Sequence, residues 1–210
     1  MKLIMLSPPG AGKGTHSSWL TRETGVAHIS SGDLLRAEIA RGTELGRRLA
    51  EYTGRGDLVP DDLIFALLTP VVVAAARDTG GYLLDGFPRT LAQARRAAQL
   101  GIELDLVTDA VVYLTAPEAV LIQRLLDRAH REGRPDDRPQ VIQHRLAVFA
   151  EDTAPLVDYY RGRGVLIEVD ADRPVAVIRA DLRQQLADRG VLDPGGTEPP
   201  PTGNDACPDD

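Results

Sequence analysis

The chain has 210 residues, 43% of them hydrophobic and 26% charged, enough for one sizeable core and ordinary for a soluble globular protein. Its net charge of −7 overstates its acidity: of 31 acids, five (Asp193, Glu198, Asp205, Asp209 and Asp210) follow Arg189 without a base, and the rest nearly balance the 24 bases. That balance excludes a general nucleic-acid surface. The single cysteine, Cys207, excludes a disulfide framework within the chain and a four-cysteine zinc site. No apolar run reaches membrane-spanning length, so a cytoplasmic protein without a membrane partner is expected.

Lys2–Leu6 is a short apolar run, the pattern of a strand buried on both faces. Residues 13–24 predict a helix ended by Gly25, and Ala27–Ser30 predicts a second strand. Ser31-Gly32-Asp33 predicts the cap of a helix through about Arg41, and another helix spans about Thr43–Thr53. Pro60-Asp61-Asp62 opens a long helix to about Arg77. Gly81–Asp85 and Ala110–Leu114 read as the third and fourth strands. Pro117 starts a helix to about Arg128, and Pro139 a longer one to Tyr160. Val165–Val169 is the fifth strand, and Pro174 starts the last helix, to about Ala187. Five apolar strands separated by helices predict an α/β fold, a parallel sheet with helices on both faces and a ligand at the carboxyl ends of the strands. Residues 190–210 carry five prolines, four glycines and few apolar residues, so a disordered tail is expected.

Gly10-Ala11-Gly12-Lys13-Gly14-Thr15 follows the first strand and precedes the first helix, the context of a P-loop NTPase-like phosphate site. The usual loop opens on a glycine; Ser7 holds that place here, and Pro8 and Pro9 follow it. A residue before proline is pushed to extended geometry, which needs no glycine, and prolines have no amide to offer. The cradle is therefore expected from the amides of Gly10 to Thr15, with Lys13 reaching the outer phosphates and the helix N-terminus adding positive potential. A glycine-rich turn without ligand is the competing reading. Tyr82-Leu83-Leu84-Asp85 is an apolar strand ending in a carboxylate, which beside such a loop helps hold Mg2+ directly or through water. Only Lys2 and Lys13 are lysines among the 24 bases. The arginines Arg36, Arg89, Arg124, Arg128, Arg134 and Arg145 fall near predicted helix ends or loops, and Arg124 and Arg128 share a helix face. Transfer between two polyphosphates needs many fixed cations; a solvated basic face is the alternative for any single one.

The stretches PGAGKGT (9–15), ISSGDLLR (29–36), GDLVPDDL (56–63), YLLDGFPRTLAQ (82–93), RLLDR (124–128), GRPDD (133–137), QHRL (143–146) and TAPLVDYY (153–160) resemble the adenylate kinase family, in the family's order and over most of residues 1–175. The short segment between Arg128 and Asp137 resembles the family's short-lid form. The resemblance implies a core of residues 1–29, 60–128 and 138–189, a mobile AMP-binding insertion at 30–59 and a lid at 129–137. It implies that Gly10, Ala11, Gly12, Lys13, Gly14 and Thr15, with Arg128 and Arg173, bind ATP. It implies an AMP pocket of Ser31, Arg36, Asp57, Leu58, Val59, Gly86, Phe87, Pro88, Arg89, Gln93, Arg134 and Arg145. Lys13, Arg89, Arg124, Arg134 and Arg145 are the implied catalytic cations, and Asp85 is implied to hold Mg2+ through water. The departures from the family's pattern are Ser7 and Pro8, Ser31 where threonine is usual, and Ala171 and Arg173 where glycine and lysine are common.

The implied reaction is reversible transfer from Mg-ATP to AMP, giving two ADP, by a monomer without zinc: only His130 and His144 stand near the lid, too few for a tetrahedral site. Two alternatives stay open. A uridylate/cytidylate kinase of the same fold typically carries asparagine where this chain has Thr90 and Gln93, and glutamine can pair bidentately with an adenine edge. A catalytically silent nucleotide-binding regulator is supported only by Ser7-Pro8.

Overall fold

The structure, a computed structural model, describes residues 1–55, 57–132 and 138–192. Five parallel strands, β1 (Lys2–Leu6), β2 (Ala27–Ser30), β3 (Tyr82–Asp85), β4 (Ala110–Thr115) and β5 (Leu166–Asp170), form one sheet in the order β2-β3-β1-β4-β5. Successive strand residues point to opposite faces, so two cores form. Ile4, Leu6, Ile29, Leu84 and Val111 pack on one face, and Leu3, Met5, Leu83, Val112 and Ile167 on the other. The register sets Met5 against Asp85 and Ser30 against Asp85, which aligns the carboxyl ends of the three strands that matter for the site.

The helices are α1 (Lys13–Thr24), α2 (Ser31–Ala40), α3 (Glu44–Thr53), α4 (Asp61–Thr79), α5 (Leu91–Glu103), α6 (Glu118–Glu132), α7 (Pro139–Val148), α8 (Pro155–Gly162) and α9 (Val175–Asp188). α1 stops at Gly25 in the left-handed region, as the glycine predicts. The cap of α2 is Ser30, not Ser31: the Ser30 backbone is extended and its Oγ accepts from Asp33 N at 3.2 Å. Ser31 is thereby freed and turned inward, 1% exposed. α6 runs four residues past the expected Arg128, to Glu132.

Two features differ more from the sequence reading. α5 is not among the predicted elements, although Thr90-Leu91-Ala92-Gln93 carries the spacing of a capping box; Thr90 Oγ1 accepts from Gln93 N at 3.1 Å. The single helix expected from Pro139 to Tyr160 is interrupted by a π-helical turn at Phe149–Thr153. Pro155 has no N–H to continue the α-helical ladder, and Ala154 N closes the wider turn on Phe149 O at 2.8 Å. In the expected tail, Val191 and Leu192 pack against the core beside Leu186; residues 193–210 lie outside the described ones.

Candidate active site

The loop after β1 is shaped by two glycines. Gly10 has φ +89°, and a Cβ there would stand 2.6 Å from Leu121 O of α6, so the loop is pressed against that helix. Gly12 has φ +84° and turns the chain into α1. Ser7 is absent from the positive-φ residues, as its place before proline predicts, and its buried Oγ donates to Pro8 O at 3.1 Å. One expectation needs correction: the Ala11 amide donates to Pro8 O at 3.3 Å, so it closes the turn and does not face outward with its neighbours.

Lys13 Nζ lies 2.7 Å from Asp85 Oδ1, and His28 Nε2 lies 3.6 Å from Asp85 Oδ2. Asp85 is 6% exposed. Burial pushes its carboxyl upward, but Lys13 and His28 outweigh burial and hold it below the ordinary range. An ionised single carboxylate beside a phosphate loop suits Mg2+, which takes few protein oxygens and completes its shell with phosphate and water. Among the described residues no group of three metal-binding side chains occurs.

A cavity of about 440 Å3 opens beyond the carboxyl ends of β2 and β3. The start of α2 gives it Ser31 and Arg36; the chain between α3 and α4 gives Asp57, Leu58 and Val59. The turn after β3 gives Gly86, Phe87 and Arg89; α5 gives Gln93 and α7 gives Arg145. Gly86 has φ +81°, and a Cβ there would lie 2.5 Å from Ser31 Oγ, so glycine is required for the two loops to meet. Arg36 is paired with Asp33. Gln93 Oε1 accepts from Arg89 N and its Nε2 donates to Asp61 Oδ1, each at 2.8 Å. Arg89 Nε donates to Gly86 O at 2.8 Å, and Thr153 Oγ1 donates to Arg89 O at 2.8 Å.

A smaller cavity of about 80 Å3 adjoins both elements: Lys13, Ser7 and Pro88 line it together with Arg89, Arg145 and Phe149. Of the candidate cations, the structure thus brings Lys13, Arg89 and Arg145 around one space. Arg124 lines neither cavity; both its terminal nitrogens donate to Ala171 O at 3.1 Å. Arg173 also stands apart, bonded to Asp170 O at 2.9 Å and to Asp181 at 2.6 Å. Arg128 lies one turn beyond Arg124 on α6, and Arg134 lies outside the described residues.

The sequence reading missed His28 and Asp61, which brace the site from outside it, and Thr153, which lines the smaller cavity. Thr153 donates to Arg89 O from the end of the π-helical turn, whose one sequence signal is Pro155. It also missed His16, 3% exposed in the first turn of α1 with Nδ1 unpartnered. Burial, then Arg179 and Arg124, pull the His16 imidazole down to about 4.

The adenylate kinase family model matches residues 5–165. The chain is 45% identical over 186 residues to an adenylate kinase of Synechococcus sp. (strain WH7803), covering 89% of this chain and 98% of that protein. It is 42% identical over 189 residues to one from Thermobifida fusca, covering 90% and 100%. It is 46% identical over 184 residues to one from Thermus thermophilus, covering 86% and 96%.

Proposed function

The chain belongs to the adenylate kinase family, and from that premise we propose which parts of the site hold each substrate. The activity is reversible transfer of the terminal phosphoryl group of ATP to AMP, giving two ADP. The larger cavity is the AMP seat, the loop of Gly10 to Thr15 the ATP phosphate seat, and the smaller cavity between them the place of transfer. One observation carries this reading: Arg89 and Arg145 line both cavities, and Lys13 faces the smaller one from the loop.

Such a transfer needs positioning and charge neutralisation more than covalent help. No general base is required, because the attacking phosphate oxygen is already anionic. Lys13 exchanges Asp85 for the outer phosphates of ATP. Asp85, through water, and the Thr15 hydroxyl of the phosphate loop would hold Mg2+, which would supply neutralisation of phosphate charge. Arg89 and Arg145 grip the phosphate of AMP and the transferred group. Residues 30–59 and 129–137 close over the substrates and exclude water, which otherwise accepts the phosphoryl group. Arg128 and Arg173 complete the ATP side, Arg134 joins Arg89 and Arg145 in serving the AMP phosphate and the transferred group, and Arg124 anchors the loop after β5 through Ala171. The protein acts as a cytoplasmic monomer without zinc.

A coupled assay for ADP formed from ATP and AMP tests the proposal. Higher kcat/KM with CMP or UMP than with AMP overturns the AMP assignment, and a wild type forming no ADP restores the regulatory reading.

A further inference from the structure

The larger cavity is walled on one side by the chain between α3 and α4, where Asp57, Leu58 and Val59 stand, and on another by Arg145 of α7. These walls are joined directly. His144, the neighbour of Arg145, places Nε2 2.9 Å from Asp57 Oδ1 across 87 positions of sequence. The other Asp57 oxygen accepts from Arg55 Nε at 2.9 Å. The Asp57 carboxylate is thus gripped twice, once by its own loop and once by a distant helix. The His144 bond is the foremost influence on the carboxyl, which lies below its ordinary range; slight burial opposes it and Arg55 adds to it. The Arg55 pair, two residues apart, shapes only its own turn. The His144 pair decides where the turn stands relative to α7, and so the width of the cavity between Val59 and Arg145.

The geometry points to a catch: His144 is a positioning residue for the acceptor, holding the Asp57–Val59 wall to α7 through the Asp57 carboxylate, so that the closed position of that wall over the AMP seat is favoured. The inference rests on the reading of this cavity as the AMP seat. A wall biased toward its closed position costs less to bring in at binding, which strengthens AMP affinity without touching the transferred group. Both side chains are partly exposed, 45% and 38%, so the effect is that of a surface pair, about two- to fivefold in AMP affinity.

Calorimetric titration of AMP into the full chain, alongside steady-state kinetics, tests the catch in the wild type, His144→Leu, His144→Lys, Asp57→Ala and the His144→Leu/Asp57→Ala double variant. His144→Leu is expected to raise the AMP Kd and KM about two- to fivefold, with kcat and the ATP KM unchanged. The double variant should bind AMP no more weakly than the weaker single one, and His144→Lys, which keeps a nitrogen donor for Asp57, should bind it nearly as the wild type does. An unchanged AMP Kd in His144→Leu, additive losses in the double variant, or an equal rise in the ATP KM overturns the catch. A wild type that binds no AMP at all removes the acceptor reading itself, and the catch with it.

Discussion

Lys13 Nζ stands 2.7 Å from Asp85 Oδ1, so the cation of the phosphate loop is neutralised by the carboxylate at the end of the adjacent strand. The parallel register that sets Met5 against Asp85 makes this meeting unavoidable: the two strands end side by side. In the proposed mechanism Lys13 leaves Asp85 for phosphate. Lys13→Met is expected to lower kcat by about a hundredfold or more, since it removes the loop's only side-chain cation. The ADP-forming assay checks this; a loss under tenfold would move the phosphate charge to other residues.

The entry to that loop is stiff without being impaired. Ser7 does not use a positive φ, so Ser7→Gly should change kcat/KM by less than about tenfold, equivalent to ~1.4 kcal/mol. Gly10 is the sensitive position. Its φ of +89° and the 2.6 Å approach of Leu121 O leave no room for a methyl group. Gly10→Ala should destabilise the fold by roughly 2 kcal/mol or more, while Gly14→Ala, with nothing within 4 Å of the added carbon, should leave the urea midpoint near that of the wild type. Equal midpoints for the two variants would show that the loop yields easily.

Gln93 is a brace whose amide is already half engaged. Its bonds to Arg89 N and Asp61 Oδ1 leave one lone pair and one N–H for a base. Gln93→Ala is expected to raise the AMP KM roughly tenfold and to narrow the preference for AMP over CMP, the scale of one bidentate base contact. A raised KM with an unchanged AMP-to-CMP ratio would make Gln93 a support for Arg89 and Asp61 and not a reader of the base.

His16 makes stability depend on pH. Burial first, then Arg179 and Arg124, lower its pKa from 6.5 to about 4. Between those values the unfolded chain binds a proton that the folded chain refuses, so stability is full above pH 6.5 and falls as pH drops toward 4. The loss attributable to this ring is on the order of 3 kcal/mol. His16→Gln, which cannot titrate, should lose less unfolding free energy than the wild type between about pH 7 and pH 4.5 in urea titrations. Equal losses would mean that the ring is charged in the folded protein.

Most of the frame was legible because its signals are local. Short apolar runs mark the strands, and glycine and proline punctuate the helices; Gly25 ends α1 where the sequence places it. α5 went unread because its apolar positions are mostly alanines, and only the Thr90–Gln93 spacing announces it. The π-helical turn went unread although Pro155 falls inside the helix expected from Pro139 to Tyr160; a proline signals a break, but not that the chain passes it by a wider turn.

By itself the sequence determined the phosphate-loop motif, the carboxylate at the end of β3, and the places along the chain of the strands and of most helices. Each is a matter of residue type at short spacing, which backbone sterics and side-chain chemistry decide within a few positions. Only the tertiary structure decided which cations share a space, and how they are held. Arg89 and Arg145, far apart in sequence, meet at Lys13, whereas Arg124 and Arg173 turn to Ala171 and Asp181. Long arginine side chains can reach several partners from one backbone position, so sheet register and helix packing choose among those partners. The same holds for Asp57, which the family resemblance implies for the AMP pocket and the fold joins to His144 by its carboxylate.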